Sequence, residues 1–340
     1  MKSQLKILIT GATGFVGSHL VDRLLEDGHL VYVLVRTPAK LKLLNNQFHE
    51  NIRTLRGSLG PKSELSWTKD LPEDLDAVFH IAGIVHSFSW KDFYSVNYRS
   101  THNLLERLKE KYQSLNFILL SSMAASGPNK DEGLLDSKTQ EDPVSHYGKS
   151  KLMAEHCLRD SIPADWQYQI IRPPAVFGPR DPAILDFFKM VKNQVVLIPG
   201  LKGHQKTYSF VCVFDLIEIL CQSLYQIDKK PNQTFYSSHP KSVTLEEIID
   251  QIQKSLNKRR VHFITIPDVL LKLLAWLSFF INRLSPIDAR LTPDKVRELL
   301  PPRWECDGSE VSEPFSISYK WDLEKTVDIT KKDYKDRSWI

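Results

Sequence analysis

Hydrophobic and polar positions alternate in two rhythms along the first half of the chain. Lys6-Ile7-Leu8-Ile9 is a short apolar run that stops at Thr10-Gly11, the pattern of a parallel strand buried on both faces. From Ser18 to Leu25 the apolar positions recur at helical spacing, and Leu30-Val31-Tyr32-Val33-Leu34-Val35 is strand-like again, so strand, helix and strand follow within about thirty residues. The rhythm repeats with a strand at Ala77-Val78-Phe79-His80-Ile81, a helix from Tyr98 to Tyr112, a strand at Asn116-Phe117-Ile118-Leu119-Leu120 and a helix through Tyr147 to Glu155. Alternation of this kind predicts an α/β fold with a doubly wound parallel sheet.

Beyond about Phe177 the alternation breaks into short elements separated by prolines, among them Pro182, Pro199, Pro231 and Pro267. Ser209-Phe210-Val211-Cys212-Val213 is expected to rejoin the sheet, so two domains interleave: residues 1–176, with a segment near 205–240 returning to them, and a smaller C-terminal domain over 177–340. Val269 to Ile281 is apolar except for Lys272 and Ser278. A membrane span needs roughly 20 apolar residues, and Asp268 and Arg283 bound this run too closely. The helix it predicts, near 268–284, is apolar on nearly all faces, which suits a core or pocket wall first and a peripheral membrane contact second, with Trp276, Lys272 and Arg283 as interface anchors.

Composition narrows the classes. The chain has 340 residues, 42% of them hydrophobic and 25% charged, in the ordinary globular range. Its 45 Lys+Arg against 41 Asp+Glu give +4, too little and too scattered for a nucleic-acid surface. Cys157, Cys212, Cys221 and Cys306 form no CxxC pair, so no metal site is expected and a reducing, cytoplasmic setting is favoured, with membrane association through the 268–284 helix as the variant. The apolar run at the N-terminus is shorter than the 7–15 residues, approximately, of a secretion signal.

Between the first strand and its helix stands Gly11-Ala12-Thr13-Gly14-Phe15-Val16-Gly17. Gly11 permits the tight exit from the strand, Gly14 lets backbone approach a pyrophosphate, and Gly17 allows close packing of helix on strand, while free N–H groups at the helix N-terminus face the phosphate charge. This is the context of a Rossmann dinucleotide site formed by residues 1–176. An NAD site usually carries an acid about 20 residues on; here Arg36 stands at the end of the second strand, and its guanidinium suits a 2′-phosphate, with Lys40 or Lys42 adding charge. NADP(H) is therefore preferred over NAD(H).

Leu120-Ser121-Ser122-Met123-Ala124-Ala125-Ser126-Gly127 follows the fourth predicted strand, and Tyr147-Gly148-Lys149-Ser150-Lys151 opens a helix. With the glycine turn, His80-Ile81-Ala82-Gly83, Val96-Asn97 and Arg172-Pro173-Pro174-Ala175-Val176-Phe177-Gly178-Pro179, the chain resembles the extended short-chain dehydrogenase/reductase superfamily over nearly its whole length. The resemblance implies Ser122, Tyr147 and Lys151 as catalytic residues and Asn97 as support for Lys151. It implies cofactor contacts at the glycine turn with Thr13, Phe15 and Val16, and at Ser58, Leu59, Ala82, Gly83, Tyr147, Lys151, Pro174 and Val176. The chemistry stands on its own as well. Tyr147 and Lys151, at i and i+4, share a helix face. Bringing a tyrosine from pH 10 to 7 takes about 4 kcal/mol, and a lysine charge about 5 Å away supplies roughly 3 kcal/mol at an effective dielectric near 20. Tyr147 is expected to exchange a proton with a substrate oxygen that Ser122 holds.

Departures from subfamily patterns point to the reaction. Dehydratases of the superfamily carry an Asp-Glu pair where this chain has Met123-Ala124, and UDP-sugar epimerases typically have an aromatic at the place of Ser126 and an asparagine at that of Ala175. The Arg172 to Pro179 run resembles the 3β-hydroxysteroid dehydrogenase and dihydroflavonol reductase group. The first expectation is thus an oxidoreductase interconverting a hydroxyl and a ketone on a hydrophobic small molecule, sterol-, flavonol- or 3-oxoacyl-like. A sugar-nucleotide epimerase or dehydratase with tightly bound NAD comes second, and a non-catalytic NADP-sensing protein third. His86 and Phe88 beyond the third predicted strand, with Met123 and Ala124, are the candidate substrate pocket, and a homodimer is the protein assembly such a chain would form. Gly57-Ser58-Leu59 replaces the common Gly-Asp-Leu near the adenine but keeps a hydroxyl.

Overall fold

The computed structural model describes residues 4–45, 49–60, 66–284 and 291–340. β1 (Lys6–Thr10) enters a glycine turn and α1 (Phe15–Glu26), and β2 (Leu30–Val35) returns parallel to β1 with Ile7 opposite Val31. β3 (Ile52–Arg56) extends the sheet on the outside of β2, and β4 (Ala77–His80) pairs with the other side of β1. A short α2 (Trp90–Phe93) runs through a wide helical turn at Tyr94–Arg99 into α3 (Ser100–Lys109). β5 (Asn116–Leu120), α4 (His146–Ser161) and β6 (Gln167–Arg172) complete the repeat.

Pro173 and Pro174 then remove two ladder donors and the chain leaves the sheet. β7 (Ala175–Phe177), α5 (Leu185–Lys192), β8 (Val195–Pro199), β9 (Thr207–Tyr208), β10 (Phe210–Cys212) and α6 (Val213–Tyr225) follow. β11 (Gln233–Tyr236) docks beside β6, giving seven parallel strands in the order β11-β6-β5-β4-β1-β2-β3. The remaining chain forms β12 (Val243–Thr244), α7 (Leu245–Ser255), β13 (His262–Ile266), α8 (Asp268–Leu284), α9 (Pro293–Leu299), β14 (Arg303–Trp304), α10 (Ser309–Phe315) and α11 (Leu323–Asp336).

Three expectations are corrected. The strand that rejoins the sheet is Gln233–Tyr236, not Ser209–Val213: β10 pairs with β7 in a separate two-stranded ribbon, because β7 needs a new partner once the prolines have parted it from the sheet. β3 was not foreseen, since its Ile-Arg-Thr-Leu-Arg has only two apolar residues and sits at the edge with one face to solvent. The 268–284 helix is not core: among its described side chains only Leu271 and Ala275 are buried, against Val296 of α9, and Trp276 is 51% exposed. No helix among the described residues is long and apolar enough to cross a membrane.

One face of the sheet buries Leu20, Val21 and Leu24 of α1 with Leu216, Ile217 and Leu220 of α6. The other buries Leu104, Leu105 and Leu108 of α3 with Leu158 of α4 and Trp166. Both layers are closed, so the carboxyl ends of the strands, where the sheet order reverses between β1 and β4, are where a ligand is received.

Candidate active site

The glycine turn lies at that reversal. Gly11 has φ +79°, and a Cβ there would stand 2.6 Å from the amide nitrogen of Ala82, so β1 and the end of β4 meet backbone to backbone. A Cβ on Gly17 would come within 2.2 Å of the Gly11 carbonyl oxygen, which fixes α1 tightly against the turn. Gly14 is the exposed N-cap of α1; no side chain caps this helix and its first turn carries no acid. Thr13, Phe15 and Val16 stand half-buried around it. A close backbone cradle with an uncapped, acid-free N-terminus fits a dinucleotide pyrophosphate.

Arg36 is exposed where β2 ends, and Val35 before it pairs with Arg56 at the end of β3, so two guanidinium groups belong to neighbouring strand ends. The side chains of Lys40 and Lys42 lie outside what is described. Ser58 keeps its hydroxyl in the local turn, accepting the Gly60 N–H at 3.1 Å, while Leu59 is packed into the core beside Leu55 and Trp67. Ala82 is half-buried, Gly83 exposed, and Pro174 and Val176 are half-buried, Val176 against the first core layer.

Ser122 leaves β5 in an extended conformation and caps the short turn at Met123–Ala125, accepting the Ala124 N–H at 3.2 Å. α4 reaches this turn because Gly148 has no side chain: a Cβ there would lie 2.1 Å from the Ala124 carbonyl oxygen. That approach brings the Tyr147 hydroxyl beside Ser122, close enough for the serine to favour the phenolate against burial. Lys151, one turn on and buried, donates to the Leu120 carbonyl at 2.5 Å. A Cβ on Gly83 would fall 3.1 Å from Asn97 Oδ1 and 3.6 Å from Lys151 Nζ, so those three residues converge.

The electrostatics differ from what the i, i+4 spacing suggested. Burial, together with the Glu298 charge and against the neighbouring Ser122, pushes Tyr147 up to about 12. Burial likewise brings Lys151 down to about 8, opposed by Glu155. Lys151 is drawn to the Leu120 carbonyl, and the expected lowering of Tyr147 by the scaffold does not occur; desolvation of the phenolate outweighs the helix-face pairing.

Asn97 is buried in the wide turn before α3; its amide donates to the Ile84 carbonyl and to Ser150 Oγ, and its oxygen accepts the Ile84 N–H at 2.8 Å. It thereby fastens the loop beyond β4 to α4. A second path runs beneath it. Thr101 donates to the Asn97 carbonyl at 2.7 Å and so accepts from His80 Nε2 at 2.9 Å, leaving His80 Nδ1 to accept from Thr10, whose oxygen in turn accepts the Ala82 N–H. The tautomer is thus set by direction alone, and burial, then the Lys151 charge, drives His80 down to about 3, keeping it neutral.

Several contributors were not foreseen. Asp294 of α9 accepts the N–H groups of His146 and Tyr147, and Glu298 accepts the hydroxyl of Ser145, so an element 147 to 153 residues away caps the helix that carries Tyr147. Thr292-Pro293-Asp294 was readable as a helix start, but nothing in it announces which helix it would cap. Glu155, fully buried, takes both the Nε and Nη2 of Arg172 at 3.0 and 2.6 Å and a hydroxyl from Ser121, beside Ser122. Of the expected pocket residues, Met123 instead fills a core cluster with Leu135, Tyr236 and Trp304, Ala124 underlies Gly148, and His86 is exposed; Phe88 meets Phe279 of α8 at a ring distance of 6.4 Å. Among the described residues no group of His, Cys, Asp and Glu could hold a metal ion.

A parallel doubly wound sheet with a glycine cradle at its reversal, and serine, tyrosine and lysine gathered at its carboxyl edge, defines an enzyme of the extended short-chain dehydrogenase/reductase type. The chain belongs to the NAD dependent epimerase/dehydratase family, whose model matches residues 7–237. It is 30% identical over 191 residues to ceramide reductase of Caulobacter vibrioides, which is 56% of this chain and 52% of that protein, so the match spans about half the relative's length. It is 25% identical over 260 residues to the N-acetyl-alpha-D-glucosaminyl-diphospho-ditrans,octacis-undecaprenol 4-epimerase of Escherichia coli O157:H7, covering 74% of this chain and 73% of that one. Among solved structures, UDP-glucuronic acid 4-epimerase from Bacillus cereus, in complex with UDP-glucuronic acid and NAD, is similar with a TM-score of 0.78 at 22% identity, over 98% of this chain and all of that chain.

Proposed function

We propose that the protein is a nicotinamide-dependent oxidoreductase that interconverts a secondary hydroxyl and a ketone on a hydrophobic or amphiphilic small molecule. The observation that carries this reading is the close packing of α4 on the Ser122 turn through Gly148, which sets Tyr147 beside Ser122 with Lys151 one helical turn away. In oxidation, the substrate hydroxyl gives its proton to the Tyr147 oxygen as the carbinol C–H departs with its electron pair; in reduction, Tyr147 returns the proton to the carbonyl oxygen. Ser122 donates a hydrogen bond to that oxygen as charge grows on it. The nicotinamide, when bound in the glycine cradle, supplies the hydride acceptor or donor and, when oxidised, a positive ring that favours the Tyr147 phenolate. NADP(H) is the preferred form on the strength of Arg36, with Arg56 nearby.

A ceramide reductase and an epimerase of an undecaprenol-borne sugar among the relatives support an amphiphilic substrate. A second reading, a sugar-nucleotide epimerase with tightly held NAD, draws support from the family and from the likeness to sugar-nucleotide enzymes of solved structure. Met123-Ala124 supplies no acid or base for eliminating water, which disfavours a dehydratase. Mass spectrometry of the purified chain, with NADPH and NADH oxidation assays on a panel of long-chain ketones, separates the readings. Net oxidation of NADPH is expected, and Tyr147→Phe should slow it roughly 10²–10⁴-fold with cofactor binding retained. Retained NAD and turnover of a UDP-sugar without added nicotinamide would instead establish the epimerase, and wild-type rates in Tyr147→Phe would refute both.

A further inference from the structure

α8 is built unlike a helix that only covers a core. Its buried stripe, Leu271 and Ala275, is met by Val296 of α9, yet the rest of its circumference is also apolar: Val269 is 79% exposed and Leu273 62%, with Trp276, Leu277 and Phe280 more than half exposed. The preceding β13 continues the surface. It pairs with β8, whose Val196 and Ile198 point inward while Val195 and Leu197 point out, next to exposed Phe263 and Ile264. The loop leaving β8 joins the same surface, since a Cβ on Gly200 would stand 2.9 Å from the carboxylate of Asp268, and Leu201 beside it is 73% exposed. Thirteen of the sixteen exposed large apolar side chains among the described residues fall in these segments. A soluble surface does not gather its apolar residues this way without an occupant.

Charge says which occupant. Residues 192–206 and 254–284 carry nine Lys and Arg, of which Lys206 is buried, against Asp268 within them and Glu246 beside Phe263, so the remainder of a chain of net +4 is net negative. Lys192, Lys202, Arg259, Arg260 and Lys272 are exposed. Two copies of so basic a face repel each other, whereas a sheet of anionic headgroups over hydrocarbon answers both the charge and the apolar side chains. At 17 residues α8 rises about 25 Å, short of the roughly 30 Å of a hydrocarbon core, so its length suits lying along a bilayer surface and not crossing it.

We propose that α8, β13 and the β8 loop form a docking surface for an anionic lipid bilayer, with the apolar side chains of α8 buried at the headgroup boundary and the basic residues on the phosphates. Phe279 of α8 meets Phe88 on the loop beyond Gly83, so the docked face abuts the candidate active site. The docking stands whether or not the proposed reaction is correct.

Full-length protein is sedimented with vesicles of phosphatidylcholine alone and of phosphatidylcholine with phosphatidylglycerol in equal parts, at low and raised salt. Pelleting with the mixed vesicles, weakened by salt and slight on pure phosphatidylcholine, is the expected result. Trp276→Glu/Phe280→Glu, at exposed positions and checked by circular dichroism, should abolish it, and Arg259→Gln/Arg260→Gln should weaken it roughly tenfold or more. No pelleting with either vesicle, unchanged pelleting of a folded Trp276→Glu/Phe280→Glu variant, or equal, salt-insensitive binding to both vesicles overturns the proposal. Dimerisation in analytical ultracentrifugation that this variant disrupts, with no vesicle binding, would overturn it in favour of a second copy.

Discussion

Tyr147 sits where a hydroxyl is stable and a phenolate is costly, and that decides which direction of the proposed reaction is easy at neutral pH. Pushed up to about 12 by burial, it stays protonated and ready to donate to a carbonyl, while Lys151, brought down to about 8, loses its charge just above neutrality. Carbonyl reduction should therefore hold level through neutral pH and decline above about 8, and alcohol oxidation should climb with pH; kcat/KM profiles in both directions check this, and Lys151→Met should remove the decline. His19 and His80 act on stability instead. Burial lowers them from 6.5 to about 4 and about 3, so both are neutral in folded and unfolded chains above pH 6.5. As pH falls below 6.5 the unfolded chain binds protons that the native one refuses, so stability falls. The urea midpoint should drop between about pH 7 and 5, and less steeply in His80→Gln. The strand around His80 was readable, but not that its imidazole would be held neutral between Thr10 and Thr101; the Tyr147–Lys151 pairing was readable because i, i+4 spacing is a property of one helix.

At the scale of elements, the glycine turn makes two different demands that substitution can separate. Gly17→Ala places a methyl 2.2 Å from backbone that cannot swing away and should destabilise the whole β1–α1 junction. Gly14 has φ −88° and its Cβ would stand 3.3 Å from the Gly11 oxygen, so Gly14→Ala should keep the fold and lose cofactor affinity. Thermal denaturation beside nucleotide titration distinguishes them. Loss of affinity in neither variant would remove the turn from the cofactor site. Strands β1, β2, β4 and β5 were legible because both their faces are buried and their apolar runs are continuous. β3 at the edge and β11, whose first two residues are not buried, carry no such run.

At the scale of the molecule, one buried pair ties the sheet to the candidate site. Arg172 at the end of β6 binds Glu155 of α4, which binds Ser121 at the end of β5, while another Arg172 nitrogen reaches Ser126, hydrogen-bonded to Tyr236 of β11. Removing Arg172 leaves the fully buried Glu155 only the half-buried Arg159 as a charge partner, and removing Glu155 leaves Arg172 only Glu141. Arg172→Met should cost about 3–5 kcal/mol, and Arg172→Met/Glu155→Leu should recover part of it, measured by urea unfolding. Recovery of nothing would mean that the pair's hydrogen bonds to Ser121 and Ser126, more than its charge balance, hold these strand ends.

The sequence by itself determined the doubly wound sheet, the glycine cradle and the shared helix face of Tyr147 and Lys151, because each depends on periodicity or spacing within a few tens of residues; Ser122 joined them through the family resemblance. Tertiary structure alone decided that β11 closes the sheet, that α9 caps the helix carrying Tyr147, that burial raises the Tyr147 pKa, and that the 268–284 helix turns its apolar faces outward. Those outcomes depend on which distant segments exclude water from one another, and an apolar residue reads the same in sequence whether it is to be buried in protein or left for another apolar phase.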